Sequence, residues 1–344
     1  MASIVSYGSY IPRFRVEGGE ISRVWGRDLR VGVMTKAIPG PDEDTITMAT
    51  ESARNCLRSV DLDLGKVRAL YIGSESHPYA VKPSGTVVAE ALGITPDLYM
   101  ADLEFACKAG STAIIICSSQ VDSGLIEYGL AIGADKAQSS TVDELEFATG
   151  SGAASFLIGK KGIVDIESMK SYTTDTPDFW RRDVQKYPSH GGRFTGEPAY
   201  FRHVTECAEL LMSTMGTEAK DFKYAVFHQP NLKFPSSVGK KLGFKEEQLR
   251  PGLLVPEIGN AYAASSLLGL TAALDASEPG DRVLLVSYGS GAGSDAFQLY
   301  VNDEIVKFRE VKNSRGIRNT SSYIEEKEVL DYSIYAKYSG RYRI

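Results

Sequence analysis

Cys107 stands in Phe-Ala-Cys-Lys-Ala-Gly-Ser-Thr-Ala-Ile-Ile-Ile-Cys, where small residues and an apolar run follow a single thiol. This pattern predicts the start of a buried helix. A cysteine there meets the positive end of the helix dipole and unpaired N–H groups, which favour its thiolate. Far along the chain, His228 closes the strand-like run Tyr-Ala-Val-Phe, and Asn260 opens a small-residue helix in Gly-Asn-Ala-Tyr-Ala-Ala-Ser. A thiol with imidazole and amide donors suits covalent thioester chemistry.

Two further residues can join them. Glu75 follows the apolar run Val67 to Ile72 in Gly-Ser-Glu-Ser-His. A carboxyl at a strand end in a dry pocket has a raised pKa and can exchange protons. Ser290 lies in Gly-Ser-Gly-Ala-Gly, a turn able to set a backbone N–H against an acyl oxygen; it is too short for a dinucleotide fingerprint or a P-loop. Taken singly, each residue has a plainer explanation: a buried structural cysteine, a satisfied histidine, an N-capping asparagine, a solvated glutamate. Their combination outweighs those readings. His77, His190 and His203 lack such a setting.

Positioning such distant groups takes a sizeable core, and 344 residues with 43% apolar and 24% charged side chains supply one. The net charge of −6 argues against general nucleic-acid binding, so an anionic ligand needs a local basic patch. No stretch reads as a secretory signal or a membrane span. Cys56, Cys107, Cys117 and Cys207 form no CxxC pair, which leaves zinc and dithiol redox unsupported and suits a reducing cytoplasm.

Short apolar runs alternate with helical spacing: strands at Val67–Gly73, 125–134 and Gly152–Gly159, and a helix over Asp44–Val60 with acids in its first turn. This is an α/β pattern. It repeats loosely, since a Cys-led and an Asn-led helix each precede a strand, a Gly-Ser-Gly turn and a second strand. The division falls at 1–165 and 166–344, with Glu75 and Cys107 in the first half and His228, Asn260 and Ser290 in the second. Tyr172 to Arg202 is polar, aromatic and rich in Gly and Pro, an ordered loop near a ligand entrance. The Tyr-rich tail from Asn302 is expected to form outer strands and connections.

Together, Glu75, Phe-Ala-Cys107-Lys-Ala-Gly, His228-Gln-Pro-Asn-Leu-Lys-Phe-Pro, Gly-Asn260-Ala-Tyr-Ala-Ala-Ser and Tyr-Gly-Ser290-Gly-Ala-Gly resemble 3-hydroxy-3-methylglutaryl-CoA synthases of the archaeal type, over almost the whole chain. The resemblance implies a thiolase-like fold of two βαβαβ halves in five αβαβα layers. It implies an acyltransferase of the mevalonate pathway, joining acetyl-CoA and acetoacetyl-CoA through an acetyl-cysteine. It implies no cofactor and no metal. Cys107 would carry the acetyl group, Glu75 would act as acid and base, and His228 would hold acetoacetyl-CoA beside Asn260. Ser290 would position the acyl group. Asp28, Arg193, Thr195 and Lys233 match contacts to CoA or product, and Thr149 is matched to the acyl-pocket contact. The chain departs from the pattern after Asp28, where it is shorter, and at Ser237, where relatives carry an arginine; Lys240 and Lys241 lie nearby. A cytoplasmic homodimer is implied, with a complex in which a zinc-ribbon/OB-fold protein bridges it to an acetoacetyl-CoA thiolase; no nucleic acid or membrane partner is expected. The rivals are a β-ketoacyl synthase III-like enzyme, which needs no carboxylate base, and a non-catalytic thiolase-like scaffold.

Overall fold

The computed structural model describes residues 1–341, with the backbone but not the side chain of Arg193. The first half runs β1 (Ser3–Tyr10), β2 (Phe14–Glu17), α1 (Gly18–Trp25), β3 (Thr35–Ile38), α2 (Thr45–Arg58), β4 (Val67–Gly73), α3 (Ser84–Leu92), β5 (Tyr99–Leu103), α4 (Ala109–Asp122), β6 (Tyr128–Asp135), α5 (Glu144–Ala148) and β7 (Gly152–Gly159). The second runs β8 (Val164–Thr173), β9 (Phe179–Trp180), β10 (Ser189–His190), α6 (Phe201–Met215), β11 (Tyr224–Phe227), α7 (Lys233–Lys241), α8 (Glu246–Leu249), α9 (Val255–Ile258), α10 (Ser265–Ala276), β12 (Arg282–Val286) and β13 (Gly293–Val301). The tail adds α11 (Glu304–Ser314), α12 (Thr320–Glu325), β14 (Glu328–Val329) and α13 (Tyr332–Tyr338).

Nine strands pair in the order β11-β12-β13-β8-β1-β7-β6-β4-β5. The order is symmetric about the β8–β1 seam, where antiparallel pairing is brief (Ser3 with Asp165, Ile4 with Val164). On either side, an antiparallel hairpin-like pair (β7 with β6, β13 with β12) leads to a parallel neighbour (β4, β11). The correspondence extends to helices: α2 precedes β4 as α6 precedes β11, and α4 precedes β6 as α10 precedes β12. The first half has one extra outer strand, β5. This duplicated α/β architecture matches the thiolase-like expectation.

The central helices show why small residues were needed. A Cβ on Gly110 of α4 would lie 2.8 Å from both the Ala263 carbonyl oxygen and Leu267 Cδ1 of α10, and one on Gly73 would lie 2.1 Å from the Ala109 carbonyl carbon. These approaches seat α4 against α10 and β4, with apolar side chains from both halves sharing a core.

Several local expectations need correction. The acids before α2 lie outside its first turn; Asp44 is the N-cap, accepting the Thr47 N–H in a capping box. The tail is mainly helical, with one two-residue strand: Ile305, Phe308 and Lys312 of α11 and Thr320 and Tyr323 of α12 fall three or four apart on buried faces, and α13 buries Tyr335. The segment 172–202 is an ordered connection, as expected, with the short β9–β10 pair and then 3₁₀ and π turns (Gly192–Thr195 and Gly196–Tyr200) leading into α6.

Candidate active site

The ends of β4 and β6 and the start of α4 converge. Just beyond β4, the Glu75 carboxyl accepts the Cys107 thiol hydrogen at 3.0 Å. Ala106, immediately before the thiol, holds φ at +42°, so the backbone turns sharply to present sulfur into the site. Cys107 is 5% exposed.

The electrostatics reverse one expectation. The helix start predicted a stabilised thiolate, but the Cys107 thiol is pushed well up by burial and then by the Glu75 carboxyl. Glu75 itself is raised to about 8, by desolvation first and the neighbouring Asp135 second. Sulfur therefore rests as a thiol, and the adjacent carboxylate form of Glu75 is the acceptor for its proton.

Asp135, the last residue of β6, fixes this corner. Its Oδ1 accepts the Glu75 N–H at 2.9 Å and the hydroxyls of Ser74 and Ser76 at 2.7 and 2.6 Å. Its Oδ2 accepts the Ala263 N–H at 2.8 Å. Asp135 was not anticipated; its sequence signal is a carboxylate closing the apolar run that forms β6. Arg181, on the 172–202 segment, donates to the Glu75 carbonyl at 3.2 Å and was not anticipated.

The second half contributes His228, just beyond β11. Its backbone is held by the Val286 carbonyl at 2.9 Å, and its own carbonyl accepts the Tyr200 hydroxyl at 2.6 Å. Its ring is buried with Nδ1 unpartnered, and burial lowers its pKa to about 3. The imidazole is therefore neutral, with a nitrogen left for a ligand. Tyr288 links it to the thiol: the Tyr288 ring centroid lies 6.1 Å from that of His228, and Cys107 is among the groups whose charge raises the Tyr288 pKa.

Asn260 is 6% exposed, and its Oδ1 accepts the Tyr262 N–H at 2.9 Å. The α-helix begins only at Ser265; Asn260 instead organises the tight turn before it. Its backbone pairs with the end of α5, as Gly150 N–H donates to the Asn260 carbonyl and Asn260 N–H to the Ala148 carbonyl, both at 2.7 Å. Gly259 makes this close approach possible at φ +74°, where a Cβ would also lie 2.9 Å from the Ala148 oxygen. Thr149 is thus beside Asn260. Ser290 hydrogen-bonds Tyr288, and its turn is packed on the Phe105 carbonyl, two residues before the thiol.

Lys108 ties the turn that carries Cys107 to the other half. Its Nζ lies 3.0 Å from both Asp295 oxygens on β13, and the pair is almost wholly buried. Ser111 and Ser171 also donate to that carboxylate, each at 2.7 Å.

The outlying candidates differ. Asp28 is exposed and paired with Arg30 at 2.5 Å, with no bond to the Cys107 group among the described residues. Its loop does reach α7, since Leu232 N–H donates to the Val31 carbonyl at 3.3 Å. Lys233, Ser237 and Lys240 are exposed and share a face of α7 by their spacing; Lys241 is exposed beside them. Thr195 Oγ1 is buried with no partner among the described residues. The Arg193 side chain lies outside the described residues. No described helix is long and apolar enough to cross a membrane.

Residues 212–300 match the family model for the 3-oxoacyl-[acyl-carrier-protein (ACP)] synthase III C terminal. Hydroxymethylglutaryl-CoA synthase of Methanocaldococcus jannaschii is 53% identical over 350 residues, covering 100% of both chains. That of Archaeoglobus fulgidus is 53% identical over 344 residues, covering 98% of each. Among solved structures, MvaS in complex with 3-hydroxy-3-methylglutaryl coenzyme A aligns at TM-score 0.87 and 19% identity, over 98% of this chain and 91% of that one. The 3-oxoacyl-(acyl carrier protein) synthase III of Pseudomonas aeruginosa PAO1 aligns at TM-score 0.80 and 19% identity, over 88% and 98%.

Proposed function

Since the chain belongs to the hydroxymethylglutaryl-CoA synthase family, we propose that its buried Glu75–Cys107 pair carries that family's condensation. The reaction is an acyl transfer of the mevalonate pathway of isoprenoid synthesis: acetyl-CoA, acetoacetyl-CoA and water give (S)-3-hydroxy-3-methylglutaryl-CoA and free CoA. The observation that carries the assignment of roles is the 3.0 Å hydrogen bond from thiol to carboxyl.

In the first step the Cys107 sulfur attacks the acetyl carbonyl as its proton passes to ionised Glu75. The carbon–sulfur bond to CoA breaks, and the proton returns to the departing CoA thiolate. Glu75, ionised again, removes a proton from the acetyl methyl. General-base catalysis of this kind gives roughly 10²–10⁴-fold. The enolate carbon attacks the ketone of acetoacetyl-CoA, whose oxygen is held by the neutral His228 imidazole with Asn260 beside it. Glu75 returns its proton to the alkoxide. Water then cleaves the thioester to Cys107 and leaves the free carboxylate of the product. Burial serves each step, because donors in a dry site stabilise developing oxyanions more than water does, by roughly 3 kcal/mol per donor.

Lys233, at the start of α7, and Lys240 and Lys241, at its end, are assigned to CoA with Arg193 and Thr195; the Thr195 hydroxyl, buried with no partner among the described residues, supports this. Asp28 is assigned to the product through the loop that meets α7. Thr149 is assigned to the acyl pocket. A β-ketoacyl synthase reading fits the same frame but leaves Glu75 without a task.

We also infer a cytoplasmic homodimer. All four cysteines are free and buried, which suits a reducing compartment. Strand β5 ends the sheet with an open edge, and its first residue, Tyr99, is exposed; an open edge of this kind suits pairing with a second copy. A complex with a thiolase through a bridging protein rests on the family resemblance, and co-purification from the native host tests it. The reaction itself is tested by thiol release from acetyl-CoA plus acetoacetyl-CoA, with the product identified by mass. Release only with a malonyl donor would transfer the chain to the β-ketoacyl synthases.

A further inference from the structure

We propose that Lys36 is a positioning residue for the acyl pocket, fixing the direction of the Thr149 hydroxyl and through it the seat of Asn260. This rests on the placement of Thr149 and Asn260 in that pocket proposed above.

Lys36 lies on β3 and is 1% exposed. Its Nζ donates to the Glu146 carbonyl at 2.5 Å and to Thr149 Oγ1 at 3.2 Å, and it faces the Tyr335 ring at 5.4 Å from the centroid. An ammonium has donors and no acceptor. Thr149 must therefore accept from Lys36 and turn its own hydrogen elsewhere. The Tyr262 hydroxyl shares a hydrogen bond with Thr149 and donates to the Gln138 carbonyl at 2.9 Å. The chain then has one polarity: Lys36 to Thr149 to Tyr262 to the Gln138 carbonyl. Tyr262 is fully buried, holds φ at +49°, and feels the charges of Glu75 and Cys107, so this link of the chain lies close to the reacting pair. The residues flanking Thr149 carry the backbone bonds to Asn260, so the two move together.

The groups facing Lys36 set its charge. Glu146 of α5 favours the ammonium, while Arg341, beyond α13, opposes it; the Tyr335 ring of α13 faces it. Glu146 is itself engaged by Arg341 at 3.1 Å, by the Tyr332 hydroxyl at 2.9 Å and by the Val142 N–H at 2.6 Å. Burial first and Arg341 second bring the Lys36 pKa down to about 7. Loss of that proton leaves an amine able to accept from Thr149, which removes the fixed polarity of the chain. The charged C-terminal segment thus bears on the pocket through Lys36.

The test is a four-member cycle of unsubstituted enzyme, Lys36→Met, Thr149→Val and the double variant. Cys107 acetylation and KM for acetoacetyl-CoA are measured separately, and thermal midpoints report folding. A lost hydrogen bond from a charged donor predicts about a tenfold rise in KM for Lys36→Met. The double variant is expected to lose no more than Thr149→Val alone, while Lys36→Met keeps its acetylation rate within about twofold of the unsubstituted enzyme and Lys36→Arg is partly restored. Losses that multiply in the double variant, or fall equally on both half-reactions, would overturn the assignment. Should Lys36→Met not fold, the pH profile decides. KM for acetoacetyl-CoA should rise above neutrality, and in Arg341→Met that rise should move to higher pH, because removing a cation favours the ammonium; an unchanged profile would overturn the assignment. A chain that never acetylates Cys107 would instead remove the functional reading beneath it, a distinct outcome.

Discussion

Asp135 accepts the Ala263 N–H at 2.8 Å across the boundary between the two repeated halves, while its other oxygen holds the loop that carries Glu75. One buried carboxylate thus fixes Glu75, the proposed general acid/base, relative to the Asn260 turn. It has four N–H and O–H donors and no cationic partner among its hydrogen bonds.

Asp135→Asn is nearly isosteric, yet places an NH₂ group where only acceptors fit. Setting a donor against a buried donor costs about 1–3 kcal/mol. The expected result is a lowered thermal midpoint and a larger fall in condensation than in CoA binding, measured by calorimetry and steady-state kinetics. Wild-type turnover in this variant would contradict the positioning role.

Glu75→Gln keeps shape and removes the exchangeable proton. Cys107 acetylation should continue at a reduced rate, while formation of hydroxymethylglutaryl-CoA falls by roughly 10²–10⁴-fold. Single-turnover measurement of each half-reaction separates them, and equal losses in both would confine Glu75 to the thiol proton alone.

Acidity gives a signed prediction. Glu75 is raised to about 8, mainly by desolvation, and in the proposed mechanism its ionised form is the base. Condensation rate should therefore rise with pH through an inflection well above the ordinary carboxylate range, and Glu75→Gln should abolish it. Stability moves the opposite way: the folded state holds this proton above the unfolded value of 4.5, so this contribution is full below 4.5 and is lost as pH rises through about 8. Denaturant titrations at several pH values, compared with Glu75→Gln, check the sign.

His228 has the reverse linkage. Burial lowers it from 6.5 to about 3, so the unfolded chain takes up a proton that the folded chain refuses. Its contribution to stability is present above 6.5 and lost as pH falls through about 3. His228→Gln should flatten the acid side of the stability curve and raise KM for acetoacetyl-CoA. An unchanged acid slope would place a charged imidazole in the site.

Lys108 and Asp295 form a buried pair across the halves. Lys108→Met strands a buried carboxylate and is expected to cost about 3–5 kcal/mol, whereas Lys108→Met with Asp295→Leu should recover part of it. Equilibrium unfolding measures both; equal stability of single variant and wild type would show that the pair carries little.

Residue type and spacing made much of this legible. Apolar runs located β4 and β7 at their observed bounds, and small residues after Cys107 and Asn260 marked the two central helices. What stayed hidden depends on tertiary placement. The thiol was misjudged because local helix geometry says nothing of the carboxyls that burial gathers around it. The tail was read as strand-like because its tyrosines suit either period; only packing of Tyr323 and Tyr335 selects helix. Arg181 and Lys36 carry no local signal, since each acts on a residue more than a hundred positions away.

The central claim is a thioester formed at Cys107 beside Glu75, and intact-mass measurement after mixing with acetyl-CoA tests it most directly. A gain of about 42 Da, expected for one acetyl group on a nucleophilic cysteine, should appear, be absent in Cys107→Ala, and disappear on adding acetoacetyl-CoA as product forms. No gain in the unsubstituted protein, or an equal gain in Cys107→Ala, would contradict it.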